Sequence, residues 1–231
     1  MKDIKQCSNG QEKTGAGVSR RTFLKCSGIV VIGVGAGGLA AKKGYAEAAV
    51  SQGYLLVDSA KCQGCTTCML ACSLVHEGYE SLSQARIQVV QDPFAGFPDD
   101  IQLAQCRQCV SPACLGACPV GALHVDSANG NIRTVDEQKC IGCKACISAC
   151  PYTPGRTIWN FAESHSQKCD LCAGASHWNE EGGPGGKQAC VEMCPMKAIT
   201  FTTQVPVQIG EEGYNVNLRD AGWSVLGYPR D

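Results

Sequence analysis

The sequence has little aromatic material. With 6% aromatic residues, among them five Phe and three Trp in 231 positions, it lacks the bulky side chains from which a core of this size is ordinarily built. Long apolar runs are missing as well. The weakly hydrophobic stretch Gly28 to Ala41 is glycine-laden and too short for a transmembrane helix, and nothing after it is long enough to span a bilayer. No nucleophile–base pair, phosphate loop or strand-borne G-x-G-x-x-G is visible, so the usual signs of a substrate site are absent. An excess of basic charge is lacking too. The first 48 residues carry eight Lys and Arg against three Asp and Glu, which leaves the remainder at about −6 and speaks against a nucleic-acid partner.

In place of aromatics stand 18 Cys and 27 Gly, so something other than apolar side chains is expected to fill the interior and staple the loops. Residues 1–48 read as an export signal. Arg20 and Arg21 form a twin-arginine pair before Thr22-Phe23-Leu24-Lys25, the glycine-rich apolar run follows, and Ala46-Glu47-Ala48 has the small-x-small pattern of a cleavage site. This segment holds Cys7 and Cys26, so sixteen cysteines remain in the mature chain.

Those sixteen fall into four groups. Cys62, Cys65, Cys68 and Cys72 follow C-x2-C-x2-C-x3-C, and Cys140, Cys143, Cys146 and Cys150 repeat it. Cys106, Cys109, Cys114 and Cys118 follow C-x2-C-x4-C-x3-C, and Cys169, Cys172, Cys190 and Cys194 follow C-x2-C-x17-C-x3-C. Pro119, Pro151 and Pro195 follow the last cysteine of three groups, and Ser73 stands there in the first. Such an internal repeat fixes the architecture more firmly than local propensity does. Between the groups, short strands are expected at residues 54–58, 86–90, 122–125, 132–135 and 199–202, with a turn at Ser127-Ala128-Asn129-Gly130. One or two helical turns are expected at 66–75 and 144–150, and Gly182-Gly183-Pro184-Gly185-Gly186 reads as a flexible surface loop.

A cubane cluster needs thiolates at separated corners. A loop with a cysteine at every third position wraps round it, and the fourth cysteine, starting a helix that leads away, serves a neighbouring cluster. Disulfides fit poorly, because triads such as Cys62, Cys65 and Cys68 are local neighbours. Zinc prefers two separated C-x2-C knuckles, which only the fourth group resembles. All sixteen cysteines are therefore expected as ligands of four 4Fe-4S clusters. His76, His124, His165 and His177 are scattered and read as surface or core residues, Trp159 and Phe161 as packing residues, and Glu211 with Glu212 as a solvated face.

Over about residues 53–203 the four motifs, in this order and with these spacings, resemble the four-cluster ferredoxin-like electron-transfer subunits of the dimethyl sulfoxide reductase type, which accompany molybdenum or tungsten pterin oxidoreductases. Within that set, the run from Ala71 to Gly78 and Ala85-Arg86-Ile87 look more like ferredoxin subunits of aldehyde oxidoreductase or carbon monoxide dehydrogenase systems. The resemblance implies that the first group shares ligands with the fourth and the second with the third. Cys62, Cys65 and Cys68 would take Cys194; Cys169, Cys172 and Cys190 would take Cys72. Cys106, Cys109 and Cys114 would take Cys150, while Cys140, Cys143 and Cys146 would take Cys118.

The fold expected is α+β and loop-rich: two pseudo-symmetric two-cluster ferredoxin-like units, the second (98–159) inserted into the first (49–97 and 160–231). The function expected is electron relay between a pterin-dependent catalytic subunit and a membrane quinone-linked or soluble redox partner, in the periplasm after twin-arginine export and peripheral to the inner membrane. The protein itself is not expected to be a catalyst. A freestanding periplasmic polyferredoxin, or an enzyme subunit with its own active site, is the alternative.

Overall fold

The presence or absence of one proline sorts the helices of this protein. In the computed structural model, which describes residues 48–97, 99–210 and 213–225, helix α1 runs through the first cysteine group from Thr67–Glu77 and ends at Gly78 in the left-handed region (φ 76). Its N–H donates to the Leu74 carbonyl, a helix stop that glycine adopts without strain. Helices α2 (Ala113–Gly116), α3 (Ala145–Ser148) and α4 (Ala189–Glu192) are four residues each and stop two residues short of Cys118-Pro119, Cys150-Pro151 and Cys194-Pro195. A residue before proline is driven out of the helical region, so those fourth cysteines lie outside their helices. In the first group Ser73 permits the helix to continue, longer than the one or two turns expected from sequence. Its Oγ donates to Leu70 O (3.1 Å) and accepts the Ser81 N–H (2.9 Å), which pins the returning chain.

Among the described residues, eight four-residue strands form four separate antiparallel pairs. Strand β1 (Tyr54–Val57) pairs with β8 (Ile199–Thr202), joining the two ends of the cysteine-bearing region with Tyr54 opposite Thr202. Strands β2 (Gln88–Gln91) and β3 (Ile101–Ala104), β4 (Leu123–Asp126) and β5 (Ile132–Val135), and β6 (Thr157–Asn160) and β7 (His165–Lys168) pair with their sequence neighbours. The β4–β5 turn spans residues 127–131, and positive φ falls at Gly130 and Asn131. The β6–β7 hairpin runs across position 159/160, where the sequence suggested a boundary between units. A short helix α5 (Ala221–Val225) ends the described residues. The result is an α+β, loop-rich fold. Among the described residues no helix is long and apolar enough to cross a membrane.

The core is small and contains sulfur. Leu55, Val57, Met69, Ile87, Leu103, Ile132, Leu171 and Ile199 pack with Cys68, Cys72, Cys106, Cys169, Cys190 and Cys194 in one continuous cluster. The segment 182–186 is part of the packing. Gly183 N donates to Leu171 O (2.8 Å), Gln188 Nε2 reaches Gly183 O (2.8 Å), and a side chain at Gly182 would run into the Cys172 carbonyl. The twin-arginine segment, Cys7, Cys26, Glu211 and Glu212 lie outside the described residues.

Candidate metal centres

The loop between the first two cysteines of every group is bent the same way. The residue just before the second cysteine, Gly64, Gln108, Gly142 or Leu171, has positive φ in all four groups (66, 45, 70 and 57). At Gln108 and Leu171 a residue other than glycine takes this conformation, which costs about 1–2 kcal/mol. Turns of this kind aim successive backbone N–H groups to one side and suit an anion.

The bends and the short helices bring the sixteen thiols together in four cavities, each lined by four cysteines. One is lined by Cys62, Cys65, Cys68 and Cys194. Another is lined by Cys72, Cys169, Cys172 and Cys190. The third has Cys106, Cys109, Cys114 and Cys150, and the fourth Cys118, Cys140, Cys143 and Cys146. In each, three thiols come from one sequence group and the fourth comes from another, so first and fourth groups exchange a cysteine, as do second and third.

The cysteines that cross over share a further feature. Cys72 Sγ accepts the Arg86 N–H (3.3 Å), Cys118 the Leu123 N–H (3.4 Å), Cys150 the Arg156 N–H (3.3 Å) and Cys194 the Ala198 N–H (3.3 Å). A thiol sulfur is a weak acceptor; a thiolate is a better one, so four such bonds suit sulfurs that carry charge. All sixteen cysteines are free of disulfides. Burial and neighbouring thiolates push Cys68 and Cys172 up to about 12 and Cys109 up to about 11, and raise Cys169 and Cys190 well above the ordinary range. Buried thiols that resist ionisation individually are ionised together when iron takes up their charge.

The donor set also bears on what it can hold. Among the described residues, no group of three or more His, Cys, Asp or Glu is placed to hold a single metal ion. The thiols stand instead round the walls of a space, which fits a group of several metal atoms with all-sulfur ligation.

Two features of the site have no sequence signal, the chain His76–Asp170–Arg86 and Lys168 beside Cys114. His76 is buried, as the core alternative has it: its Nε2 lies 2.9 Å from Asp170 Oδ1 and its Nδ1 2.7 Å from the Cys72 carbonyl. Burial works against the imidazolium, but Asp170 and Cys72 outweigh it and hold His76 up to about 9, while His76 and Arg86 outweigh the burial of Asp170 and hold that carboxyl down to about 2. Arg86 Nη1 completes the chain at 2.8 Å from Asp170 Oδ2. Lys168 is likewise buried, with Nζ 3.8 Å from Cys114 Sγ. Phe161, read as packing, is 79% exposed, and Trp159 lies under the Lys144 ammonium at 4.2 Å. Of the other histidines, His124 is half-buried and bonds the Ala122 carbonyl, His165 is buried in β7, and His177 is exposed; none lines a cysteine cavity.

A loop-rich α+β protein with thiols gathered in fours defines an iron–sulfur electron-transfer protein. Comparison with known proteins gives the same class. The family described as a 4Fe-4S dicluster domain matches residues 100–204. Protein NrfC of Escherichia coli K12 is 36% identical over 79% of this chain and 79% of its own length, and the NrfC homolog of Haemophilus influenzae is 33% identical over the same shares. The B subunit of anaerobic dimethyl sulfoxide reductase from E. coli K12 is 34% identical over 63% of this chain and 70% of its own. The protein belongs to the family of iron–sulfur electron-transfer subunits that these relatives represent.

Proposed function

We propose that the protein carries four 4Fe-4S clusters and relays single electrons between a molybdenum or tungsten pterin oxidoreductase subunit and a membrane quinone-linked or soluble redox partner. The observation that carries this reading is the gathering of sixteen thiols into four sets of four, each set drawn from two sequence groups. A bound cluster supplies a one-electron couple. The chain's own part is to hold it by Cys62, Cys65, Cys68 and Cys194; by Cys72, Cys169, Cys172 and Cys190; by Cys106, Cys109, Cys114 and Cys150; and by Cys118, Cys140, Cys143 and Cys146. The backbone N–H groups of Arg86, Leu123, Arg156 and Ala198, which donate to the sulfurs of Cys72, Cys118, Cys150 and Cys194, steady the thiolates.

On this reading the protein is two pseudo-symmetric two-cluster units. Residues 49–97 and 160–231 form one, supported by the β1–β8 pairing and by α1 against α4; residues 98–159 form the other, supported by β4–β5 and by α2 against α3. The β6–β7 hairpin bridges them. The likeness to the B subunit of dimethyl sulfoxide reductase favours a catalytic partner subunit, so the isolated protein exchanges electrons with dyes but turns over no small substrate. Arg20 and Arg21 favour twin-arginine export to the periplasm; replacing both by Lys strands the protein in the cytoplasm, and unchanged export removes that part of the proposal.

Anaerobic iron and acid-labile sulfide analysis tests the cluster count. Four clusters require about sixteen of each per chain. About eight of each, or stoichiometric zinc, contradicts the proposal. Copurification with a larger catalytic subunit supports the relay, and a full complement of clusters without a partner favours a freestanding polyferredoxin.

A further inference from the structure

The β2–β3 hairpin gives one face to the first cysteine group and keeps a second for something else. Val89 and Leu103, opposite each other in the pair, line the cavity of Cys62, Cys65, Cys68 and Cys194. Gln91 and Ile101, the next pair on that face, close in on Gly64, where an added side chain would meet both. Gly64 precedes Cys65, and Cys65 is exposed. The hairpin is therefore the wall of this cavity beside its most accessible thiol.

The other face and the tip point away from the cysteines. The connecting loop is tied internally: Asp92 N–H donates to the Asp100 carbonyl (2.9 Å), Phe94 N–H to Asp92 Oδ1 (2.9 Å) and Asp99 N–H to the Gly96 carbonyl (3.0 Å). At the tip of this loop Phe94 is 97% and Phe97 52% exposed, and Val90 on the strand below is exposed as well. Two of the five Phe in the chain are thus spent on one loop in water. Aromatic side chains presented in this way serve as anchors at interfaces, seated in a pocket on the partner and ringed by polar groups.

The surroundings say what kind of pocket. Val90 and Gln102 line an open groove together with Asp92, Asp99 and Asp100, and no Lys or Arg is among its described lining residues. The whole run 87–106 contains these three Asp and no Lys or Arg. A surface that meets this tip closely must bring positive charge to it, because a like-charged or neutral one would leave the carboxylates without partners as water is expelled.

We propose that the tip of the β2–β3 hairpin is the docking site of the redox subunit that exchanges electrons with the cluster of Cys62, Cys65, Cys68 and Cys194, and that this subunit receives Phe94 in an apolar pocket rimmed by Lys or Arg. The proposal rests on the relay reading and names one end of it. A single electron passes between that cluster and the redox group of the partner; the hairpin residues form and break no bond and hold the two surfaces together.

The test places a benzophenone amino acid at position 94 of the full chain, and at position 161 for reference, and irradiates the anaerobically prepared holoprotein in the cells that make it. Mass spectrometry then identifies the linked peptide. Position 94 is expected to link to a subunit that carries a redox group, at a peptide containing Lys or Arg. Asp99→Asn combined with Asp100→Asn lowers the yield about ten-fold, and Phe94→Ser loosens the copurifying complex by a similar factor, both at unchanged iron and sulfide content. The proposal is overturned if a redox subunit copurifies or links at position 161 while position 94 links to nothing or to a second copy of this chain. It is overturned equally if the yield at position 94 ignores the loss of both carboxylates. Absence of any redox subunit, by copurification or at either position, removes the relay reading itself and the docking site with it.

Discussion

The cavities of Cys106, Cys109, Cys114 and Cys150 and of Cys62, Cys65, Cys68 and Cys194 are built alike and furnished differently. Each takes three thiols from one group and one from another, and each has a left-handed residue before the second cysteine. The first is walled by three cations. The second is lined by Gln63, Val89, Leu103, Met196 and Ile199 and has an exposed cysteine, Cys65. Cysteine spacing therefore governs what is bound, and the residues brought in from elsewhere govern how it behaves. The two levels can be broken separately.

On the four-cluster proposal, withdrawing the iron has the largest expected effect and should abolish the comparison, because all four cavities would lose what their thiols surround. With only a small apolar cluster left around buried cysteines, the apoprotein is expected to lose cooperative unfolding and near-ultraviolet dichroism. An iron-free protein that keeps a sharp thermal transition would show that apolar packing alone suffices.

A smaller, local effect is expected at the cavity of Cys72, Cys169, Cys172 and Cys190. Asp170 accepts bonds from His76, Arg86 and the Cys172 and Gly174 amides. Asp170→Ala leaves the Arg86 guanidinium and the buried His76 ring without their shared carboxylate and is expected to cost about 3–5 kcal/mol, read by denaturant melts of the holoprotein, with the cation-walled cavity's spectrum little changed.

Ser73→Pro sharpens the comparison by giving the first group the proline of the other three. Position 73 lies in the interior of α1 and its Oγ makes two bonds, so about 3 kcal/mol of stability should be lost. The reverse change, Pro151→Ser, removes no hydrogen bond and is expected to stay within about 0.5 kcal/mol in the same melts.

The cysteine groups, the strands at 132–135 and 199–202 and the α+β, loop-rich class were legible because they rest on spacing and local pattern. The hairpin β6–β7 was not. Its second strand, His165-Ser166-Gln167-Lys168, is polar at every position yet buried throughout, because it faces thiols and other polar groups and not a hydrophobic core. Lys168, His76 and Asp170 were missed for the same reason: each acts on a cysteine or a partner far away in sequence, and no spacing records that. Helix α1 outruns its expected length because serine at position 73, in place of the proline of the other groups, removes a helix stop. The segment at 182–186 looks flexible from composition, although Gly182 is required by the closeness of the Cys172 carbonyl and Gly186 by that of the Glu181 carbonyl.

The central claim is that the first and fourth groups, and the second and third, exchange their fourth cysteine, and the magnetic spectra of holoprotein carrying Cys118→Ser or Cys106→Ser test it most directly. Exchange predicts that Cys118→Ser perturbs the cluster of Cys140, Cys143 and Cys146, that Cys106→Ser perturbs a different one, and that the two spectra lack different signals. Loss of the same signal in both variants would mean that each group serves its own cluster, and would contradict the account.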